Sequence, residues 1–517
     1  MAKDTFYITT PIYYPSGEPH LGHAYTTICA DAVARFQRLA GRDTFFLTGT
    51  DEHGQKMVTE AEKLNLAPAE LAESMMAKFR DYFAEIHISN NDFIRTSEPR
   101  HKEAVQAIVR TMQAKDDVYL GSYAGWYDVG QEEYVTEANA KAQDYKSAIN
   151  KRPLERREEQ TYFFKLTKYL PKLIEHIEQN PKFIQPAARR NKILQDLKGD
   201  VGDLSISRPS LAWGVPVPGD EKHVLYVWVD ALSNYITALG YESSDASRFD
   251  TYWPADVHLI GKEILWFHTV YWPCMLMSLD LPLPKCVYAH GWWTAEGEKM
   301  GKSAGNFIGL DELRKVTGYY GLDALRYYLL RAAPFGSDLD WQADELHRAF
   351  LELANVLGNG LNRVLKMTGK YRDGNLPEAD ATASGPEDDA LLAVSDALQG
   401  KVIEAWTSLE LQTAATLAVD LVREMNGYID RTEPFKLAKD ESQAKRLDAV
   451  LHHAAVALYR ALVALLPVLP EKAKAGLAQM NVGVDGRTLD DLMSNPPKPG
   501  HQFGEASPLF PRLDPLG

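Results

Sequence analysis

Cysteine is nearly absent: Cys29, Cys274 and Cys286 are the only three in 517 residues, widely spaced and without a C-x-x-C pair. So odd and scattered a set argues against a disulfide framework and against a thiolate zinc knuckle, and suits a reducing compartment. Positive charge is in deficit as well, 56 Lys and Arg against 71 Asp and Glu for a net of −15. Bulk charge therefore announces no nucleic-acid partner, although polyanions respond to local basic faces rather than to totals. The N-terminal stretch MAKDTFYITTPIYY has no basic region leading into an apolar run, so no secretory signal is expected. Long hydrophobic runs are missing too. The most apolar late stretch, residues 454–470, contains Arg460 and two prolines, and it reads as a bundle helix too short and broken to span a bilayer. No internal repeat is visible.

What is present is ordinary globular composition, 45% hydrophobic and 25% charged. Single cores stop growing near roughly 250–300 residues, so a chain of this length implies two to four packed units. Residues 5–10 are aromatic and β-branched, read as a strand, and end at Pro11. A loop with Pro15, Gly17 and Pro19 follows. A helical pattern then starts near His20, with Ala24, Ile28, Ala32 and Phe36 at helix-like spacing. Residues 44–49 form a second strand, running into the polar loop Asp51, Glu52, His53, Gly54. Strand, loop, helix, strand is the opening of a parallel α/β sheet, and such sheets bind ligands at the carboxyl ends of their strands.

From about Trp126 to Arg208 charged and polar residues dominate, and the Gly/Tyr pattern of residues 121–135 predicts short strands, an insertion within the α/β domain. Strand patterns return at residues 224–229, 258–261 and 287–291, where the sheet is expected to resume. Beyond about Phe350 the pattern is helical; Leu447, Leu451, Ala454, Leu458, Ala461 and Leu465 make one apolar stripe. Residues 373–388, rich in Gly, Pro and acidic residues, read as a loop between bundle helices. The proline-rich residues 495–517 read as an extended tail.

Two short constellations carry chemistry. Pro19-His20-Leu21-Gly22-His23 sits where a strand-end loop enters a helix, and residues three apart share a helix face. Helix N-termini bind phosphate through free N–H groups, and Gly22 permits a close backbone approach. Two imidazole donors there can stabilise charge developing on a phosphoryl group. Downstream, Glu298-Lys299-Met300-Gly301-Lys302-Ser303 lies between Gly297 and Gly305. Two lysines in a glycine-flanked loop suit a mobile clamp on polyphosphate, acting mostly in the transition state.

Together, and in this order, His20-Leu21-Gly22-His23 and Lys299-Met300-Gly301-Lys302-Ser303 resemble the two signatures of class I aminoacyl-tRNA synthetases, His-Ile-Gly-His and Lys-Met-Ser-Lys-Ser. Gly301 departs from the usual Ser, which removes a hydroxyl and adds backbone freedom. Over nearly the whole chain the sequence resembles the methionyl-tRNA synthetases within that class. That resemblance implies a Rossmann-type parallel-sheet catalytic domain with an inserted connective domain, followed by an all-α anticodon-binding bundle. The expected boundaries are residues 1–117 and 223–295 for the two catalytic halves and 118–222 for the connective insertion. Residues 296–349 hold the signature loop and stem contacts, 350–480 the bundle, and 481–517 the tail.

The resemblance also implies roles. His20, Gly22, His23, Gly261, Glu263, Lys299, Lys302 and Ser303 would bind ATP, with His20, His23, Lys299 and Lys302 catalytic. Glu263 stands where the family has Asp, one methylene longer, at a ribose contact. Ile12, Tyr14, Asp51, Trp228, Leu232, Tyr235, Ile264, Phe267 and His268 would form the methionine pocket, with Asp51 on the α-amino group. Aromatic and aliphatic groups around an unbranched thioether are physically apt, because sulfur packs well against ring edges. Asn359, Arg363 and Phe435 would read the anticodon, Phe435 replacing the family's Trp as a stacking platform. Gly125 to Tyr134 occupies the place where many relatives carry zinc-binding cysteines, so no structural zinc is expected. The expected cofactor is ATP with Mg2+, and the expected partners are L-methionine and methionine tRNA, for a cytoplasmic monomer without a membrane association. Isoleucyl, valyl and leucyl enzymes carry a far larger editing insertion, cysteinyl enzymes need zinc ligands, and small nucleotidyltransferases with similar histidines lack a helical C-terminal half. An inactive, RNA-binding relative is the non-enzymatic alternative.

Overall fold

The computed structural model describes residues 4–129, 133–135, 137–148, 151–209, 211–295, 297–300 and 306–516. Contacts divide the chain into two compact units. One comprises residues 4–19 and 44–290; the other joins residues 20–43 to the chain from 291 onward.

The first unit is built on a six-stranded sheet. Its strands are β1 (Thr5–Thr9), β2 (Asp43–Thr50), β3 (Asp92–Arg95), β4 (Ile184–Gln185), β5 (Val257–Gly261) and β6 (Val287–His290), in the order β3-β2-β1-β5-β6-β4. The registers are parallel, with Ile8 opposite Val257, His258 opposite Val287, and Leu47 opposite Asp92. β2 is buried along nearly its whole length, as expected for a central parallel strand. Inside the insertion, Val118–Asp128 pairs antiparallel with Glu155–Phe164 over ten residue pairs, Val118 with Phe164 through Tyr127 with Glu155.

Two expectations for this unit need correction. The segment 224–229 is not one strand of the main sheet. Asp220–Leu225 belongs to a separate three-stranded sheet with Ser207–Arg208 and Pro216–Val217, and at Val227 the chain enters the helix α2 (Val227–Thr237). Val227 and Val229 have strand propensity, but both are buried in the main core, and burial outweighs a weak intrinsic preference. Second, β4 lies inside the stretch read as a separate insertion, yet it completes the main sheet, with Ile184 opposite Val287 and the Val287 N–H donating to the Phe183 carbonyl at 2.7 Å. The insertion is therefore stitched into the sheet that it interrupts.

The second unit contains α1 (Leu21–Leu39), a small sheet in which Trp293–Ala295 pairs antiparallel with Glu298–Lys299 and parallel with Leu339–Trp341, and a bundle. The long bundle helices are Pro386–Thr407, Leu411–Thr432 and Ala444–Leu465. Among the described residues one helical stretch, Glu441–Leu465, is long and apolar enough to cross a membrane, but 83% of its apolar window is buried, as in a core helix. The loop expected over 373–388 stops early, because Pro386 opens a helix. Proline suits the first helical position, and Glu387, Asp388 and Asp389 place negative charge in the first turn. Beyond helix Leu489–Ser494 the chain is extended but packed, with Phe503, Leu509 and Phe510 buried.

A buried charge ties α1 into this unit. Arg326, on helix Leu322–Arg331, is fully buried. Its guanidinium lies 2.8 Å from the Asp31 carboxylate of α1, a charge contact rather than an aligned hydrogen bond, and it donates to the carbonyls of Pro467 at 3.1 Å and Val468 at 3.2 Å. On the same helix Asp323 accepts the N–H groups of Glu471 and Lys472 at the start of helix Pro470–Gln479. Burial pushes the Asp323 carboxyl up to about 6.

Candidate active site

In the first unit, the residues expected to hold an amino acid converge at the carboxyl ends of the strands. Ile12, Tyr14, Trp228 and Ile264 are half-buried and pack against a core that includes Leu232, Tyr235 and Phe267. Trp228 stacks on Phe267 with ring centroids 3.8 Å apart and planes within 6°, and His268 stands edge-on to Trp228 at 6.0 Å. Backbone geometry helps to place Phe267 and His268. The turn Phe267–Tyr271 is π-helical, the Trp272 N–H reaching back to the Phe267 carbonyl, and such turns recur where side chains must be re-aimed.

His268 is held neutral in a defined tautomer. Its Nδ1 lies 2.9 Å from the Ile264 carbonyl, which can only accept, so Nδ1 carries the proton and Nε2 accepts from the Tyr235 hydroxyl at 2.7 Å. Burial lowers the His268 pKa to about 4 and raises that of Tyr235. Beneath them His258 is fully buried between Thr9 Oγ1, at 2.8 Å, and the Trp272 indole N–H, at 3.3 Å, and burial lowers its pKa too. The wall is thus uncharged throughout, as an apolar thioether or aliphatic ligand requires.

Asp51 is buried at the end of β2, its N–H donating to the Tyr13 carbonyl at 2.9 Å, which sets it beside Ile12 and Tyr14. The two residues after it, singled out by the sequence only as a polar loop, are pinned individually. The Glu52 carboxylate takes a two-pronged contact from Arg95 at 2.7 and 3.1 Å together with the hydroxyls of Thr50 and Ser97. Its carbonyl accepts from the Trp213 indole at 2.6 Å and its N–H donates to Thr96. His53 Nδ1 lies 2.6 Å from Asp230 Oδ2, and His101 Nε2 lies 2.9 Å from Asp230 Oδ1. Burial pushes the Asp230 pKa up, but the two histidines prevail and hold it down at about 2. The only trace of this cluster in the sequence is one carboxylate in the apolar run Val227-Trp-Val-Asp-Ala-Leu.

At the end of β5, Gly261 is followed by a 3₁₀ turn carrying Glu263, which is exposed. The Glu263 carboxylate folds back over Gly261, so that a Cβ there would meet it at 2.6 Å and the Glu263 side chain would have to swing away.

The two signature motifs expected to hold the nucleotide lie in the second unit. His20 is the N-cap of α1, its Nδ1 accepting from the Gly22 N–H at 3.1 Å, while His23 Nδ1 accepts from the His20 N–H at 3.2 Å. The rings stack 3.7 Å apart. Backbone N–H groups can only donate, so neither Nδ1 carries a proton in the neutral ring and each Nε2 does. Both imidazoles are therefore fixed as N–H donors at a helix N-terminus. Gly22 leaves room for this cap, since a Cβ would press on His20 Cε1 at 3.0 Å and the ring would have to give way. His20 also bridges to Gly309, and the Leu21 N–H donates to the Ile308 carbonyl at 3.0 Å, tying the cap to the chain that follows the lysine loop. The loop itself springs from a hairpin in which Lys299 pairs with Thr294 and Gly297 turns at φ +76°. Asp340 pins that turn, accepting from Thr294 Oγ1 at 2.7 Å and from the Gly297 N–H at 2.9 Å. Gly301, Lys302 and Ser303 lie outside the described residues.

In the bundle, Asn359 is exposed on helix Asn359–Arg372, and Phe435 is 52% exposed on the short helix Pro434–Leu437. Arg363 pairs with Asp430 of the neighbouring helix, so a base approaching it must displace a carboxylate. Among the described residues no group of three or more His, Cys, Asp or Glu side chains is placed to hold a metal ion.

Comparison with known proteins gives a consistent result. The sequence model of the tRNA synthetases class I (M) family matches residues 6–143 and 138–365. The methionine–tRNA ligase of Halalkalibacterium halodurans is 44% identical over 99% of this chain and 79% of its own length, and that of Enterococcus faecalis is 45% identical over 99% and 78%. Mycobacterium tuberculosis methionyl-tRNA synthetase in complex with methionyl-adenylate superposes with a TM-score of 0.92 at 38% identity, covering 98% of this chain and all of that one. Its free state gives 0.86 at 35% identity, covering 99% of each chain.

Proposed function

The chain belongs to the class I tRNA synthetase (M) family, and on that premise we propose that it is a methionine–tRNA ligase that activates L-methionine with Mg-ATP and transfers it to the 3′ end of methionine tRNA. The observation that carries the choice of amino acid is the uncharged wall of Trp228, Phe267, Tyr235 and neutral His268 beside the buried carboxylate of Asp51. Asp51 takes the α-ammonium group, and the stacked pair Trp228–Phe267 takes the thioether.

The methionine carboxylate attacks the α-phosphorus in line, forming a mixed anhydride and releasing pyrophosphate. His20 and His23, preset as Nε2–H donors, stabilise the charge that builds on the phosphate oxygens, and Gly22 lets the nucleotide approach α1 closely. Gly261 and Glu263 meet the ribose. Lys299, Lys302 and Ser303 close over the departing pyrophosphate. In the second step the terminal ribose hydroxyl of the tRNA attacks the activated carbonyl, and AMP leaves. Positioning and charge stabilisation supply the acceleration, with no covalent intermediate on the protein. Mg2+ enters with the nucleotide as part of the substrate. Asn359, Arg363 and Phe435 contact the anticodon. Work in translation places the protein in the cytoplasm, and the buried thiols of Cys29 and Cys274, their pKa values raised by burial, suit a reducing compartment.

The test is amino-acid-dependent ATP–pyrophosphate exchange across all twenty amino acids, with wild type and Lys302→Ala. Exchange driven by methionine alone and lost in the variant is the expected result. No exchange with any amino acid, despite folded protein and Mg2+, overturns the proposal in favour of an RNA-binding protein without synthetase activity.

A further inference from the structure

The cluster around Asp230 joins three elements that are far apart in sequence. His53 sits two residues after Asp51 on the loop that ends β2; Asp230 is on α2 between Trp228 and Leu232; and His101 is on the helix Pro99–Ala114. All three side chains are nearly or fully buried: 3% exposure for His53, 1% for Asp230, none for His101. His101 Nδ1 meets Thr237 Oγ1 at 2.7 Å, so the third member is itself held at the far end of α2. A carboxylate accepts only, so His53 donates Nδ1–H and His101 donates Nε2–H. Each Asp230 oxygen accepts from one histidine, and the carboxylate faces the protein interior rather than solvent. A buried ionised group costs several kcal/mol in desolvation unless its partners are well placed. Such a group is a poor choice for stability alone, and its geometry here has one evident consequence. It clamps the loop carrying Asp51 to the helix carrying Trp228, Leu232 and Tyr235.

We propose that Asp230, acting through His53 and supported by His101, is a positioning residue that fixes the Asp51 carboxylate relative to the aromatic wall and so sets recognition of the substrate's α-ammonium group. This rests on the reading of Asp51 as the ammonium ligand. The clamp leaves the thioether end of the pocket untouched, because Trp228 and Phe267 hold each other by stacking. Loosening it therefore weakens one end of the substrate and not the other.

The experiment compares L-methionine with 4-(methylsulfanyl)butanoate, the same molecule without its amino group, as ligands of the full-length protein in ATP–pyrophosphate exchange. The KM for methionine and the inhibition constant for the amine-free analogue are measured for wild type, Asp230→Asn and Asp51→Asn. The expected result for Asp230→Asn is a rise in the methionine KM of about 10- to 100-fold, the cost of a displacement of the order of 1 Å. The analogue's inhibition constant and the KM for ATP should stay within about twofold. Equal weakening of methionine and the analogue would mean that Asp230 only supports the fold of the pocket, and would overturn the proposal. An Asp51→Asn variant that leaves the preference for the amine unchanged would instead overturn the role of Asp51 itself, which is a distinguishable failure. If Asp230→Asn does not yield folded protein, His53→Leu, which has no donor, removes the same link while leaving Asp230 its contact with His101, and the same comparison decides.

Discussion

Replacing Arg326 by methionine tests whether the buried charge at the base of the signature helix holds the second unit together. The substitution keeps an unbranched, apolar stem of similar reach but removes three contacts at once: Asp31 of α1 at 2.8 Å and the carbonyls of Pro467 and Val468 at 3.1 and 3.2 Å. Asp31 is itself fully buried and keeps Arg35 as a neighbour at 2.7 Å, whose side chain is about one quarter exposed. Removing one member of a buried pair costs about 3–5 kcal/mol, because the remaining charge is left in a poor solvent. The partial compensation from Arg35 places the expectation at the lower end, about 3 kcal/mol. For a unit of this size each kcal/mol shifts the midpoint by roughly 2–4 °C, so Arg326→Met should lower the corresponding calorimetric transition by about 6–12 °C. Adding Asp31→Asn should recover at least half of that loss, because the buried charge is then gone. A shift below about 2 °C, or a double variant no more stable than the single one, would refute the reasoning. The ion pair would then be energetically idle.

Other outcomes follow from the site. His23→Asn should lower the exchange rate by about 10²–10³-fold with the methionine KM unchanged, if its donor acts on the phosphates in the transition state as proposed; a change in KM alone would contradict that role. His268 has a pKa lowered to about 4 by burial, against about 6.5 in an unfolded chain. The folded state therefore favours the neutral ring. The stability this contributes is present above pH 6.5 and is lost as the pH falls toward 4, amounting to about 3 kcal/mol at full extent. His268→Gln should accordingly show a shallower fall in unfolding midpoint between pH 6.5 and 4 than wild type, and parallel curves would count against the assignment. Phe435→Ala should impair charging of tRNA far more than pyrophosphate exchange, whereas equal losses in both assays would make Phe435 a packing residue.

Strong local patterns were legible in the sequence. The strand ending at Pro11, the helix opening at His20 and the apolar stripe of helix Ala444–Leu465 each follow from periodicity over many residues and stand in the structure within a residue or two of their expected places. The failures share a physical cause. Residues 224–229 carry a strand-like composition, but the core that buries Val227 and Val229 lies elsewhere in the chain, and no window centred on them can see it. β4 spans two residues, too short to carry any period. The partnership of residues 53, 101 and 230 leaves no spacing to find, because the fold alone brings them together. The same holds for Asp430 beside Arg363, 67 residues away. The π-helical turn at Phe267 has no composition of its own. The aromatic wall was legible as a set of residues, while the neutrality of His268 depends on the Ile264 carbonyl and on burial, which only coordinates reveal.

The membership of α1 in the second unit has a consequence for how the chain is made. Residues 20–43 emerge from the ribosome early, but the partners against which they pack begin at residue 291. At about 5–20 residues per second, roughly a quarter of a minute to a minute passes before the first of them is synthesised, and Pro467 and Val468 come later still. Until then Asp31 lacks Arg326 and has only Arg35 of its own helix as a partner, and the apolar side chains of Ile28 and Phe36 lack their packing in the finished unit. Contacts of such sequence separation also slow folding, since the intervening chain must be ordered first. The nascent chain thus spends most of its synthesis with the end of α1 that carries His20 and His23 unassembled. Ribosome-bound intermediates that stop short of residue 291 should be protease-sensitive at α1 and should recruit chaperones there.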